Sequence, residues 1–458
     1  MGASGRAAAV TMVAVAVTAA VAVWIDPEPG PAVFGMLLAI ALSRSQLERD
    51  LRGRLEAGIA LPVVSLVGVG VGFALVTATW LGAILFTLGV TASVYLRRFG
   101  ELPRRIGGLV ALPFVALLIA PVHSERLGPW LGAVAALGIG VVAWLAVTLS
   151  QLAAMRLGLL PRSRPVPREG EEPPRAGSLR PSATTRLALQ MAVTVAGAFA
   201  LGLWLFPDRW SWVVITALTV TLGNVGRVDV ADKAVQRVVG AGAGSLLALL
   251  PLLLPHLPAW AAFVLVLVAL FAGLVLRPFG YLWWSLAITI ALALAQSFAT
   301  GPFSLLERWE EIVVGGVLAV AIAFLLLPVP SESVLRRRLA DALGALSDWL
   351  AVAAPGRPAD PGDAEPGDAE HRVRAALARL DRTARPYDDM ARWLPRAWRP
   401  RAVGWLAATR GASASLLSTP RAAARRPLGD ARRALREPAE LQAALDAVVA
   451  AGRATHGS

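Results

Sequence analysis

Cationic and amide side chains are gathered in one short segment between two apolar stretches of this chain. The segment 221–240 contains Asn224, followed by Lys233, Gln236 and Arg237 within about one helical turn of each other. Positive charge and hydrogen-bond donors at the end of a membrane helix attract carboxylates. The pattern therefore predicts an anion-attracting vestibule at the mouth of a cavity. A structural alternative stays open, in which Arg237 is a helix-end anchor that extends toward the membrane surface.

Other polar positions extend this predicted site. Arg277 and, in the first half of the chain, Arg97 follow apolar segments and add positive charge on the same membrane side. Polar residues inside apolar segments are rare and usually functional, and Gln296 is one of the few here. We include all three in the predicted substrate-binding set.

Most catalytic and cofactor chemistry is excluded by what the sequence lacks. The 458 residues contain no cysteine, the four histidines are scattered without ligand spacing, and no phosphate-binding loop of the Gly-Lys-Ser/Thr type occurs. The glycine run that contains Gly240 and Gly244 lies in an apolar segment, where small residues usually serve helix packing. We expect no metal, no cofactor and no enzymatic activity.

The composition is that of an all-α polytopic membrane protein. Hydrophobic residues make up 56% of the chain and charged residues 16%. One membrane crossing needs about 20 apolar residues, so the charge-free run 57–96 must hold two helices with a turn near Ala78. In all, the apolar runs predict about 12 transmembrane helices: 7–25, 31–43, 57–76, 80–96, 106–122, 128–150, 186–206, 210–226, 238–254, 259–276, 281–299 and 310–327.

These helices fall into two similar halves. Segments 6–27 and 186–207 resemble each other at a spacing of 180 residues, and so do 96–100 and 276–280. Six crossings in each half make the repeats parallel. Nineteen basic residues fall in the expected inner loops, whereas the expected outer loops hold only Arg126, Arg209 and Arg308. The positive-inside rule then places both termini in the cytoplasm.

The predicted domains follow from this arrangement. They are a first six-helix membrane repeat at 1–160, a cytoplasmic linker at 161–185, a second six-helix repeat at 186–330 and a cytoplasmic helical region at 331–458. The linker is rich in Pro, Arg, Glu and Gly. Apolar stripes at helical spacing predict that the last region contains helices at 332–352, 370–384, 401–418 and 429–452.

The stretch from Arg186 through Trp212, Asn224 and Gln236 to Gly244 resembles the fusaric-acid-resistance-like (FUSC) family, which includes the aromatic acid exporters. That family carries a Gln-Arg-x-x-Gly-Thr-x-x-Gly signature after a Trp-bearing helix and an Asn-containing turn. Residues 236–244 read Gln-Arg-Val-Val-Gly-Ala-Gly-Ala-Gly, so alanine replaces the threonine. The resemblance adds Trp212 to the candidate substrate-binding residues.

The resemblance implies a bacterial inner-membrane exporter of small organic acids, aromatic ones in particular, or of related toxic compounds, with the proton gradient as a candidate driving force. A passive anion channel on the same scaffold is one alternative. A non-transport scaffold that acts through its cytoplasmic tail is another. The expected partners are a small organic anion, the lipid bilayer and, from the small-residue-rich helices, a second copy in a homodimer. Nucleic acid is not expected, because the basic residues are spread over loops without interleaved aromatic residues.

Overall fold

The described part of the chain is built from α-helices. The computed structural model describes residues 3–44, 51–119, 128–160, 182–224, 226–252, 258–300, 305–328, 331–353, 366–393, 395–396 and 399–453. Within residues 3–328 the helices are α1 (Ala3–Ile25), α2 (Pro29–Arg44), α3 (Leu51–Thr77), α4 (Thr79–Tyr95), α5 (Glu101–Ile119), α6 (Gly128–Arg156), α7 (Ala183–Leu205), α8 (Ser211–Thr221), α9 (Arg227–Leu252), α10 (Ala259–Leu276), α11 (Tyr281–Thr300) and α12 (Leu305–Leu325).

The break between α3 and α4 lies at Ala78, where the length of the apolar run requires a turn. The helices around the predicted site differ from expectation. Helix α8 ends at Thr221 instead of continuing to 226, because Leu222 is extended and Gly223 has a φ of +72°, a conformation that glycine adopts readily. Helix α9 begins at Arg227, eleven residues before the predicted start at 238. Lys233, Gln236 and Arg237 therefore lie within one continuous helix. Of the linker predicted at 161–185, residues 161–181 lie outside the described residues.

Five of the described helices are long and apolar enough to cross a membrane. They are Ser4–Ile25, Gly53–Thr77, Thr79–Phe99, Trp130–Arg156 and Ala183–Leu205. Shorter apolar helices cover 30–43, 106–119, 211–221, 263–279 and 281–294 in the same part of the chain. The chain is thus an all-α membrane protein, and the number of twelve crossings and the two-fold repeat stay predictions.

Exposed tryptophans mark one set of helix ends. Trp24, Trp80, Trp130, Trp204 and Trp260 are 61–85% exposed, and each lies within two residues of the end of an apolar helix. Tryptophan concentrates at membrane interfaces, where its ring is partly apolar and its N–H is hydrated. The predicted topology puts all five on the outer side.

Residues 1–224 and 233–328 form one compact unit. Aromatic rings connect the two halves of the sequence within it. Phe86 of α4 contacts Phe114 of α5 at 5.2 Å between ring centroids and Phe199 of α7 at 5.5 Å, and Phe199 also contacts Trp210 at 5.3 Å. These side chains, apart from Trp210, are fully or almost fully buried, so the halves share a single core.

The second compact unit contains residues 225–232 and 329–458. Its helices are α13 (Ser331–Ala353), α14 (Pro366–Trp393), α15 (Arg401–Ser418), α16 (Arg425–Ala434) and α17 (Leu441–Arg453). The single helical stretch predicted at 429–452 is wrong, because residues 435–440, which include Pro438, separate α16 from α17. Leucines from all five helices, together with Trp405, belong to the core of this unit. Arg410 of α15 bridges Asp381 and Asp388 of α14 at 2.8–2.9 Å.

Two helix glycines should respond oppositely to the same substitution. A Cβ at Gly244 would lie 2.7 Å from the carbonyl oxygen of Leu286, whereas one at Gly138 would meet nothing within 4 Å. We expect Gly244→Ala to lower the free energy of unfolding by roughly 1–3 kcal/mol through overpacking. Gly138→Ala should raise it by roughly 0.5–1 kcal/mol because helical glycine is entropically costly. Thermal unfolding in detergent measures both. Equal shifts of the same sign would contradict the close helix contact.

Candidate functional site

The turn that leads into α9 is held by the polar residues of the 221–240 segment. The Asn224 side-chain amide donates to the carbonyl oxygen of Val220 at 2.6 Å. Lys233 donates to the Asn224 side-chain oxygen and, at 3.4 Å, to the carbonyl oxygen of Leu222. These bonds use carbonyl groups that the end of α8 leaves without helical partners. Asn224 and Lys233 therefore fasten the end of α8 to α9.

Gln236 and two glycines bring α9 against α11. The Gln236 side-chain oxygen accepts a hydrogen bond from the backbone N–H of Leu282 at 2.8 Å, which satisfies a donor in the first turn of α11. A Cβ at Gly240 would lie 2.8 Å from the Leu282 carbonyl oxygen, and Gly244 approaches the next turn in the same way. Only residues without side chains permit this approach, which places Arg237 beside α11.

Arg237 is buried to 1% exposure in the interior of the membrane unit. Its Nη1 donates to the Ser285 hydroxyl at 3.4 Å, near the limit of a hydrogen bond, and the same hydroxyl donates to the Arg237 carbonyl oxygen at 3.2 Å. The Nε and Nη2 groups have no hydrogen-bond partner among the described residues. Arg237 is therefore no snorkelling surface anchor; it is a buried cation with donors left to offer.

A second buried arginine lies within electrostatic reach of the first. Arg308 of α12 is 4% exposed, and its guanidinium carbon lies 3.7 Å from the ring centroid of Trp212 on α8. The charges of Arg237 and Glu311 both act on Arg308. The tryptophan face stabilises a desolvated guanidinium by roughly 2 kcal/mol.

One carboxylate enters this cluster. Glu311, one helical turn after Arg308, is 1% exposed, and its Oε1 lies 3.5 Å from Nε of Arg209 in the turn between α7 and α8. We call Arg209, Trp212, Arg237, Ser285, Arg308 and Glu311 the arginine cluster. Its two buried guanidinium groups, those of Arg237 and Arg308, and its one buried carboxylate leave an excess of buried positive charge among the described residues.

The predicted substrate-binding set contains Trp212 and Arg237 and misses the other four members of this cluster, which are Arg209, Ser285, Arg308 and Glu311. Arg308 was placed among the outer-loop charges, and Glu311 was not assigned to the site. The structure corrects this for Arg308, which lies inside α12 and is buried. The spacing of three residues between Arg308 and Glu311, which puts both on one helix face, was the available signal.

The other predicted substrate-binding residues, Arg277, Arg97 and Gln296, do not belong to the arginine cluster. Arg277 is exposed in the short 3₁₀ helix Arg277–Phe279 between α10 and α11, and Arg97 is half-buried in the corresponding helix Leu96–Phe99 after α4. Gln296 belongs to α11, but its side chain lies outside the described residues. Among the residues that the structure describes, no group of His, Cys, Asp and Glu could hold a metal ion.

A comparison with protein families assigns this part of the chain. The family model described as "Fusaric acid resistance protein-like" matches residues 191–322. This segment is similar to the fusaric acid resistance protein-like family. The match confirms the resemblance carried by residues 186–244, and it indicates a membrane transport protein. The fusaric acid resistance protein-like segment extends from α7 into α12 and contains every member of the arginine cluster. No curated protein and no solved structure matches the chain.

The contact between Gln236 and Leu282 can be tested with two substitutions. Gln236→Met removes the acceptor and leaves a buried N–H unsatisfied, which should lower the free energy of unfolding by about 1–3 kcal/mol. Gln236→Glu keeps a side-chain oxygen near the start of α11, where negative charge is favourable, and should stay near wild-type stability. Thermal unfolding of the purified protein compares them. If both variants lose the same stability, the acceptor is not what Gln236 contributes.

Proposed function

We propose that the protein exports small organic acids, with aromatic carboxylates as the preferred class, across the bacterial inner membrane. The carboxylate binds at the arginine cluster, and the substrate approaches it from the cytoplasmic side, where the predicted topology also puts both termini. Coupling to the proton gradient and the homodimer are part of this proposal. It rests on the family match and on the cluster's excess positive charge.

The burial of Arg237 carries the proposal. Burying an unpaired ion costs on the order of several kcal/mol, and one hydrogen bond of 3.4 Å to Ser285 does not offset such a cost. An arriving carboxylate would accept from the Nε and Nη2 donors, which a guanidinium presents in a planar fork. A bound organic anion would therefore stabilise a site that is strained when empty.

The Arg308–Trp212 stack supports the aromatic preference. A guanidinium plane stacks on aromatic rings as well as binding carboxylates, and Arg308 already uses one aromatic contact. An aromatic acid could form both interactions in this cluster, a carboxylate–guanidinium pair and stacking of its ring. Direct roles for Asn224, Lys233, Gln236, Arg277, Arg97 and Gln296 in substrate binding stay predictions.

Export can be tested with two arginine substitutions. Cells that express the wild type should accumulate less of at least one compound from a panel of aromatic carboxylates than cells without it. Arg237→Gln should abolish this difference, because removing a buried cation from a carboxylate site costs about 2–5 kcal/mol, or about 30-fold or more in affinity. Arg6→Gln, which changes an exposed guanidinium of α1, is the matched control and should export normally.

Two results would count against this view. If no compound of the panel distinguishes cells with and without the protein, export of aromatic acids is wrong. If Arg237→Gln exports as well as Arg6→Gln at equal expression, the site is misplaced although the function stands. If neither arginine variant reaches the membrane, binding to purified protein replaces the cellular measurement.

A passive anion channel is the second candidate, because buried arginines also line anion pores. Flux in proteoliposomes that follows the applied voltage and persists without a proton gradient would favour the channel. The scaffold alternative is supported by the separate core of the second unit. Deletion of 335–458 tests this alternative and keeps Ser331, whose hydroxyl accepts a hydrogen bond from the backbone N–H of Val228. Transport that is retained after this deletion would count against the scaffold alternative.

A further inference from the structure

Glu311 is a buried carboxylate with weak contacts among the described residues. It is 1% exposed, its ion pair with Arg209 measures 3.5 Å, and neither carboxylate oxygen has a hydrogen-bond partner among the described residues. An ionised carboxylate in such surroundings is retained only by neighbouring positive charge. In this site that charge comes from Arg209 and Arg308.

We propose that Glu311 is a built-in anion that balances Arg308 while the site is empty and takes up a proton when an organic anion binds. This inference rests on the proposed function and adds a proton-binding site to it. The arriving carboxylate pairs with the guanidinium groups of Arg308 and Arg237 in place of Glu311. Glu311 then faces a second negative charge in apolar surroundings, and protonation removes the repulsion.

Charged groups of both signs surround Glu311, and substrate binding changes their balance in one direction. Arg209 faces it from the turn before α8, and Arg308 and Glu310 act on it from α12 itself. Helices α7 and α8 pack against α12, and α9 contributes Arg237, which acts on Arg308. Substrate binding weakens the effect of the arginines on Glu311 and leaves that of Glu310, so it favours the protonated form.

Proton exchange with water has a route past Arg209. The Arg209 side chain is 45% exposed in the turn between α7 and α8, whereas Glu311 beside it is closed off. The proton comes from the solvent on the side of Arg209 and returns to the same side when the anion leaves, so no proton crosses the membrane with the substrate. For a monocarboxylate the total charge of the cluster is then the same in the empty and loaded states. A charge-neutral change avoids the cost of adding a net charge to a low-dielectric interior.

The test uses the full-length purified protein and benzoate, which stays ionised between about pH 6 and pH 8. Calorimetry in buffers of different ionisation enthalpy should report uptake of up to one proton for each benzoate bound by the wild type. Affinity should rise by up to about tenfold for each unit by which the pH falls, because one proton is linked to binding. Glu311→Gln should bind with no proton uptake and with little dependence on pH.

Glu310→Gln is the matched control, because it makes the same change at the adjacent, exposed position. It should take up the proton as the wild type does. Glu311→Asp keeps a carboxyl group and should also retain uptake. In case Glu311→Gln does not fold, the infrared difference spectrum of the wild type provides the second measurement, in which benzoate should produce a new band of a protonated carboxyl group.

The possible failures are distinguishable. Proton uptake that persists in Glu311→Gln, or a wild-type spectrum without the carboxyl band, overturns the role of Glu311 while Arg237-dependent benzoate binding upholds the proposed function. A weaker affinity of Glu311→Gln at every pH also overturns the role of Glu311. In the proposal the ionised Glu311 competes with benzoate for the arginines, so removing its charge cannot weaken benzoate binding. If the wild type binds neither benzoate nor any other aromatic carboxylate, the proposed function fails and the inference fails with it.

Discussion

The second half of the membrane unit is organised around the burial of guanidinium groups among apolar helices. Removing such an ion from water costs on the order of several kcal/mol, and each partner offsets a part of that cost. For Arg308 the face of Trp212 contributes roughly 2 kcal/mol, and the opposite charge of Glu311 also acts in its favour. Among the described residues, the Arg237 guanidinium has only a long hydrogen bond to Ser285. The excess of positive charge in this cluster is the observation on which the proposed anionic ligand rests.

The polar residues near the cluster hold helices at the distances that this burial requires. Gln236 ties α9 to the start of α11, and Lys233 ties it through Asn224 to the end of α8. Gly240 and Gly244 let the backbones of α9 and α11 come close. Hydrogen bonds inside apolar surroundings are costly to break without replacement, so these contacts fix the depth of Arg237. Gln236 and Lys233, which the sequence suggests as substrate-binding residues, can thus act by positioning Arg237.

The two halves of the membrane unit differ at the positions that correspond to the arginine cluster. The positions 180 residues before Trp212, Arg237 and Arg308 are Ala32, Ala57 and Gly128, and the nearest arginine to the second of these, Arg54, is three residues away. Local structure is shared more widely, since Gly100 and Gly280 both have positive φ after short 3₁₀ helices. The first half contributes apolar surface, as in the contact of Phe86 with Phe199. Every member of the arginine cluster lies in the second half.

The sequence alone determined the membrane class, the helix order, the break at Ala78 and the family, because apolar run length and short motifs are local properties of the chain. It also singled out Arg237. Tertiary structure decided which polar residues meet. Gln236 contacts the start of α11, Lys233 contacts Asn224 after the end of α8, and α9 begins eleven residues earlier than predicted. Arg308, expected in a loop, is buried in a cluster with Trp212 and Glu311. The physical reason is that burial and charge pairing depend on contacts between helices nearly 100 residues apart in the chain, and no local pattern encodes those contacts.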